Sequence, residues 1–243
     1  MSTREKPILM SAPMVRALLV DEKTQARRIV KMPANAGARV TVDPGGTIFG
    51  PGPYLKVERT DGVADVHPRI YCPYGYPGDR LWVREGFTHV TGNGIRTHYR
   101  ADGEPTDRDG CILPTEPGLR RWTSPLFMPR KESRITLEIV GVRVERLHAI
   151  TAADAWAEGI DACDGLLDDA AICRAAKVLG CCHEDGRATY GALWAEIHGE
   201  ASLVENPWVW IVDFRRVVAQ PRDCKDCGEP IVSSTENESP AER

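Results

Sequence analysis

The sequence has no apolar run long enough to cross a bilayer, and its first residues, MSTREKP, do not resemble a signal peptide. These two features predict a cytoplasmic protein with no membrane partner. The chain contains eight cysteines. Without a secretion signal, they indicate thiols in a reducing compartment rather than a disulfide framework.

An excess of positive charge is also lacking, since 31 lysines and arginines face 35 acidic residues and the formal net charge is −4. A protein that coats nucleic acid over its whole surface would be basic, so any such binding here must be local. The 42% hydrophobic and 27% charged content is ordinary for a globular domain. With 243 residues the chain can bury a hydrophobic core without disulfide bonds to stabilise it.

Histidine is scarce, and the six that are present form no recognisable catalytic triad. Cys224 and Cys227 have the C-x-x-C-G spacing of half a zinc site. Cys181, Cys182 and His183 could supply further ligands, or the cysteine pair could carry no metal. No cofactor is required by the sequence, and zinc is possible.

Four segments predict regular structure. Ser11 can cap a helix with Pro13 in its first turn, and ITAADAWAEGI predicts a short helix capped by Thr151. In RITLEIVGVRVERL apolar and polar residues alternate, which predicts a strand. The apolar residues occupy odd positions before Gly141 and even positions after it, which predicts a β-bulge. NPWVWIVDFRRVV is apolar on both faces and predicts a central strand.

These elements predict one α+β domain over residues 1–218, built on a curled, barrel-like sheet with flanking helices. The Gly- and Pro-rich stretch 33–65 predicts a loop with short strands. Residues 88–121 predict a long inserted excursion. Residues 219–243 are polar and predict a disordered tail.

Several motifs occur in a characteristic order: a helix leading into K-T-x-x-R-R, then PGDRLWVRE, W-x-S-P-x-x-M-P-R, the strand SRITLEIVGVRVERL, a helix ending in A-E-G, and NPWVWIVDF. Together they resemble the ASCH domain, a PUA-like barrel, in the form common in phages and prophages. The resemblance covers roughly residues 6–33, 71–87, 122–160 and 190–218. It implies binding of RNA or modified nucleosides. A more distant similarity is to the small N(4)-acetylcytidine amidohydrolases.

The resemblance to the amidohydrolases implies a catalytic set of a lysine, a threonine three residues later and a glutamate. The lysine matches Lys23 and the glutamate matches Glu158, but the threonine position is Ala26. A methyl group cannot attack an acyl carbon, which disfavours the threonine-dependent route. Thr24 is the nearest hydroxyl, two positions away. The pair Lys23 and Glu158 could instead activate water, hold a polar base edge, or form a structural ion pair.

Two basic strips are candidates for contacts to nucleic acid. Arginine matches phosphate oxygens through a planar, multi-donor group, so Arg27 and Arg28 are candidate phosphate ligands. In the second strip Trp122 and Phe127 interleave with cations, as stacking combined with phosphate contact requires. The cations of the second strip are Arg120, Arg121, Arg130 and Lys131.

Three functions follow as expectations. The first is binding of RNA, DNA or a modified nucleoside in a cleft with Lys23, Arg27, Arg28 and Glu158. The second is an enzyme, an amidohydrolase or a ribonuclease, that hydrolyses an acylated nucleobase or RNA. The third is a protein–protein interaction module of phage biology. The sequence leaves the oligomeric state open.

Overall fold

The computed structural model of the chain describes residues 4–32, 36–43, 52–59, 69–90, 95–106, 122–163 and 165–217. The strands in these ranges are β1 Glu5–Leu9, β2 Gln25–Ile29, β3 Ala36–Asp43, β4 Tyr54–Arg59, β5 Arg69–Tyr71, β6 Arg80–Arg84, β7 Phe87–Val90, β8 Arg96–Tyr99, β9 Thr136–Arg146 and β10 Trp208–Arg216. The helices are α1 Ala12–Leu19, α2 Ala152–Ala157, α3 Asp169–Leu179, α4 Gly186–His198 and α5 Glu200–Glu205. The predicted mixed α+β class is confirmed.

The largest sheet has the strand order β1-β6-β9-β10-β2, in which only β1 and β6 are parallel. Strands β3, β4 and β5 form a second sheet, and β7 pairs with β8. The predicted bulge is confirmed, because Asp213 faces Gly141 and Phe214 faces Ile139, leaving Val140 as the extra residue of β9. A bulge of this kind increases the local bend of a strand.

Strand β10 is buried on both faces, as predicted for a central strand. Trp210, Val212 and Phe214 pack into a first core cluster with residues of β1, β6 and β9. Val209 and Ile211 point the other way, into a second cluster formed with the helices. The alternation along one strand therefore joins the sheet's core to the helical core.

The two edges of the large sheet are β1 and β2, and one side chain connects them. The guanidinium of Arg28 in β2 donates through Nη2 to the carbonyl of Leu9 in β1 at 2.9 Å. It also lies 3.8 Å from the sulfur of Met10. Among the described residues, no strand pairing joins β1 to β2, so the sheet is curled but not closed. The barrel therefore stays a prediction. We call the gap between the two edge strands the seam.

The short helices begin where the sequence predicts. Ser11 and Thr151 occupy the N-cap positions of α1 and α2. Thr151 forms a reciprocal capping box with Asp154, whereas the side chain of Ser11 makes no capping hydrogen bond. Helix α3 has no counterpart among the sequence-based expectations. It ends at Gly180, whose φ of 65° is the left-handed conformation that favours glycine.

The predicted excursion 88–121 contains regular structure where it is described, since β7 pairs with β8 within residues 87–99. Residues 107–121 and the predicted tail lie outside the described ranges.

Gly159, directly after Glu158, has a φ of 77° and close neighbours. A Cβ atom there would lie 2.8 Å from the Cβ of Ala17 and 3.0 Å from that of Lys23. We expect Gly159→Ala to lower the free energy of unfolding by about 3 kcal/mol, combining a left-handed backbone with a steric clash. Chemical denaturation measures it.

Gly180→Ala is the matched control. Gly180 has a similar φ of 65° but open space around its Cα. This variant should lose only the backbone contribution of roughly 1–2 kcal/mol. Equal losses in the two variants would contradict the tight packing of α1, Lys23 and Gly159.

Candidate functional site

Lys23 and Glu158 form a buried ion pair. Lys23 lies just after α1, where its backbone N–H donates to the carbonyl of Ala17 at 3.2 Å. Its Nζ donates to the backbone carbonyl of Glu158 at 2.7 Å and to Oε2 of the same residue at 2.8 Å. The two residues are only 3% and 4% exposed. The two predicted catalytic residues are therefore in direct contact, although 135 positions separate them in sequence.

Arg27 completes the inner part of this cluster. Along β2 it points to the same side as Gln25, and its Nη1 lies 3.4 Å from Oε1 of Glu158. Its Nη2 lies 3.2 Å from Oδ2 of Asp154, and Nη1 also donates to the amide oxygen of Gln25. Arg27 is 2% exposed. Its Nε has no hydrogen-bond acceptor among the described residues.

The cluster reaches the surface through a second layer. Gln25 Nε2 donates to Asp154 at 3.1 Å and to Asp213 at 2.7 Å. The half-exposed Arg143 bonds the same two carboxylates, at 2.7 Å and 2.6 Å. Burial opposes ionisation of Asp154, but hydrogen bonds from Thr151 and Gln25 and the charge of Arg27 lower its pKa to about 2. Asp154 is therefore a fixed anion at neutral pH.

Tyr190 of α4 lies beside Arg27. The guanidinium carbon of Arg27 is 5.9 Å from the centre of the tyrosine ring, within range of a cation–π contact. Burial, and then the nearby charge of Glu158, raise the pKa of Tyr190 well above its usual value. Tyr190 therefore supplies a neutral phenol to the cluster.

We call Lys23, Gln25, Arg27, Asp154 and Glu158 the ion cluster. It contains an ammonium group, two carboxylates and a guanidinium group in a region screened from water, where each interaction is stronger than at the surface. A carboxylate held this way can take a proton and an ammonium group can donate one. The same arrangement also fits a structural ion-pair network, because the charges largely neutralise one another.

Ala26 does not point into the ion cluster. It is fully buried and belongs to the first core cluster, on the opposite face of β2 from Gln25 and Arg27. Thr24 is exposed, and its backbone bonds to Ala157 and Phe214. A hydroxyl at position 26 would thus enter the apolar core in this structure.

A large open cleft lies at the other end of α1. Its volume is about 950 Å³, and it separates the start of α1 from the segment 122–127. Trp122, Phe127 and Arg100 line it together with Ser11 and Pro13. No carboxylate is among the described residues that line it. We call it the aromatic cleft.

The remaining predicted nucleic-acid contacts are dispersed. Arg28 is engaged at the seam, and Arg130 forms a surface ion pair with Glu5 at 3.0 Å. Lys131 is exposed on the following turn. Arg120 and Arg121 lie outside the described residues. Of the second strip, Trp122 and Phe127 meet in the aromatic cleft. Phosphate contact by Arg27 stays a prediction, and its burial does not favour it.

Two groups of functional candidates were missed from the sequence. Asp154 precedes Glu158 by four positions, a spacing that places both near one helix face and could have indicated it. Arg100 and the start of α1 enter the aromatic cleft by long-range packing, for which the sequence has no local signal.

The predicted zinc ligands Cys224 and Cys227 lie outside the described residues. Cys181, Cys182 and His183 follow α3, where Cys181 is half-buried and the other two are exposed. Within the described ranges, no group of three or more potential ligands is arranged to hold a metal. The zinc site stays a prediction.

Comparison with protein-family models, curated proteins and solved structures gives no match. In the described part of the chain, every helix falls short of the length and apolarity needed to cross a membrane.

Removing one partner of the buried ion pair should be costly. Lys23→Met leaves the carboxylate of Glu158 buried with Arg27 as its remaining cation, at 3.4 Å. We expect the free energy of unfolding to fall by about 3 kcal/mol, measured by urea denaturation.

Arg174→Met is the control, because Arg174 and Glu200 form an ion pair with side chains 56% and 68% exposed. It should change stability by less than about 0.5 kcal/mol. A loss in Lys23→Met no larger than in this control would show that the Lys23–Glu158 pair contributes little to folding.

Proposed function

We propose that this protein binds single-stranded nucleic acid or a modified nucleoside in the aromatic cleft. The observation that carries the proposal is the exposure of Phe127, 74% of whose surface is open to solvent at the wall of a cleft that also contains Trp122 and Arg100. Aromatic rings stack on bases of any sequence, and a nearby arginine binds phosphate.

The segment that carries Phe127 is held in place by its neighbours. Met128 is completely buried, and Thr123 forms a β-bridge with Phe87. The hydroxyl of Ser124 accepts a hydrogen bond from the N–H of Leu126 at 3.4 Å. The ring of Phe127 is thus presented to solvent by an anchored turn, which is what a preorganised stacking surface requires.

Local charge also favours an anionic ligand. Arg100 lines the aromatic cleft, and the positive end of the α1 dipole faces the same space. A chain of net charge −4 would otherwise repel nucleic acid. Binding would then be confined to such local regions.

The proposal extends to the fold family. Three features support an ASCH or PUA-like barrel of phage type: the curled five-stranded sheet, the seam bridged by the side chain of Arg28, and the contact of Lys23 with Glu158. Helix α2, which is followed directly by Glu158 and Gly159, supports the same assignment.

A second candidate function is hydrolysis of an acylated nucleobase or of RNA, and the ion cluster supports it. In deacylation, water would add to the acyl carbon, the carbon–nitrogen bond would break, and the water's proton would pass through Glu158 to the leaving amine. Lys23 would orient the carboxylate. Because Ala26 faces the core, this route needs water rather than a threonine as nucleophile.

The binding proposal is tested with a fluorescent oligonucleotide. Phe127→Ala should weaken binding about tenfold or more, because stacking on one base contributes roughly 1–3 kcal/mol. Binding of the wild type should also weaken as salt rises.

Leu126→Ala is the matched control. Leu126 is 60% exposed and adjacent, but it is not among the residues lining the aromatic cleft. Its affinity should equal that of the wild type. If both variants bind as the wild type does, the cleft is not the binding site, and the protein-interaction alternative becomes the stronger one.

The hydrolase candidate is tested with N(4)-acetylcytidine, following acetate release. We expect slow turnover by the wild type and a loss of at least about 100-fold in Glu158→Gln, which retains the backbone carbonyl that binds Lys23. Ala26→Thr should bring no gain. A gain in Ala26→Thr would contradict the placement of position 26 in the apolar core, and equal rates in Glu158→Gln and wild type would remove Glu158 from the reaction. Circular dichroism confirms that each variant is folded.

A further inference from the structure

A second groove lies along the seam, lined by residues of β1 that precede the residues at the aromatic cleft. Its volume is about 470 Å³. Lys6 and Pro7 contribute from β1, Ile29 from the end of β2, and Lys31 from the chain just after it. The remaining wall comes from β5 and the turn after it. We call it the seam groove.

The seam groove combines cations with aromatic rings. Tyr71 is 36% exposed and Tyr74 is half-buried, and both line the groove. Trp210, only 1% exposed, contributes to its floor. Tyr74 belongs to the turn CPYGYPGD, where a tyrosine can either stack on a base or simply begin the next strand.

Among its described lining residues, the charged groups of the seam groove have one sign. Lys6 and Lys31 line it, and none of the described residues that line it is acidic. The Nζ of Lys6 donates to the carbonyl of Pro73 at 2.8 Å, which holds the ammonium group at the groove while its other two hydrogens remain to donate. Glu5, the neighbouring acid in β1, is paired with Arg130 at 3.0 Å. The groove therefore complements an anionic ligand.

The seam groove and the aromatic cleft lie at successive positions along one segment. Lys6 lines the first and Ser11 lines the second. Lys6 and Ser11 are five steps of extended chain or roughly 16 Å apart. The nearest lining residues of the two regions, Pro7 and Met10, are three steps or roughly 10 Å apart. Between them the guanidinium of Arg28 bridges the seam at Leu9. Cations and aromatic rings thus occur at both ends of a path that follows the edge strand.

We propose that the seam groove binds the backbone of the same single-stranded nucleic acid whose base stacks in the aromatic cleft. This inference rests on the proposed binding function and narrows its ligand to a strand of several nucleotides. A free nucleoside, or a dinucleotide, is too short to occupy both regions.

The test compares oligonucleotides of 2, 4, 8 and 12 nucleotides, about the range of single-strand site sizes, in RNA and DNA series. The double variant Lys6→Ala, Lys31→Ala should bind the dinucleotide as the wild type does and the 12-mer at least about tenfold more weakly. For the 12-mer, the slope of the logarithm of the binding constant against the logarithm of salt concentration should become shallower by about 1.4. The reason is that each of two lost phosphate contacts on a single strand contributes about 0.7 to this slope. Comparing the two series shows which sugar is preferred.

Arg174→Ala, Lys177→Ala is the matched control, because it removes the same two charges from the exposed face of α3. The inference is overturned if this control and the seam-groove variant bind the 12-mer equally, or if the seam-groove variant loses affinity equally for the dinucleotide and the 12-mer. If the control and the seam-groove variant bind equally but Phe127→Ala still binds the oligonucleotide more weakly, the aromatic cleft remains the proposed binding site. Failure of the wild type to bind any length would overturn this inference and the single-strand part of the proposed function, and failure to bind N(4)-acetylcytidine as well would overturn both proposals.

Discussion

The buried contact between Lys23 and Glu158 determines how the two halves of the chain meet. It joins the turn that follows α1 to the C-cap residue of α2, and Gly159 lets the two backbones approach closely. A buried ion pair stabilises only when each charge keeps its partners. Here Arg27 and Asp154 extend the pair, while Gln25 and Arg143 connect it to Asp213 on β10. The position of β2 at the sheet edge thus depends on electrostatics inside the fold as well as on backbone pairing.

The curl of the large sheet follows from the same arrangement. The bulge opposite Asp213 bends β9, and β10 packs apolar residues on both faces. The edge strands β1 and β2 then come close enough for Arg28 to bridge them. A seam bridged by a side chain leaves grooves beside the bridge, whereas a continuous ladder of backbone hydrogen bonds would fill the gap. Both proposed contact regions for nucleic acid border the segment that begins with β1 and continues into α1.

The sequence predicts best where local chemistry decides the structure. The cap at Thr151, the bulge near Gly141 and the two-sided burial of β10 each have a signal within a few residues, and all three are confirmed. The pairing of Lys23 with Glu158 spans 135 positions and came from the resemblance, not from any pattern in the residues. Tertiary packing determines three features that the sequence did not predict, because it can override the local preference of a segment. These are helix α3, the face of β2 on which Ala26 lies, and the position of Arg100 at the aromatic cleft.

The segment DEKTQARRIVK shows why a run of cations in sequence need not form one binding surface. As an extended strand it alternates its side chains. Gln25 and Arg27 enter the ion cluster with Lys23, whereas Ala26 packs into the core and Arg28 bridges the seam. Of the cations in this segment, only Lys31, past the end of the strand, is among the described residues that line an open groove. A helix would have placed several of these cations on one exposed face. In the strand, these cations instead form contacts inside the fold. The cations available to an anionic ligand in the two proposed regions are therefore Arg100 in the aromatic cleft and Lys6 and Lys31 in the seam groove.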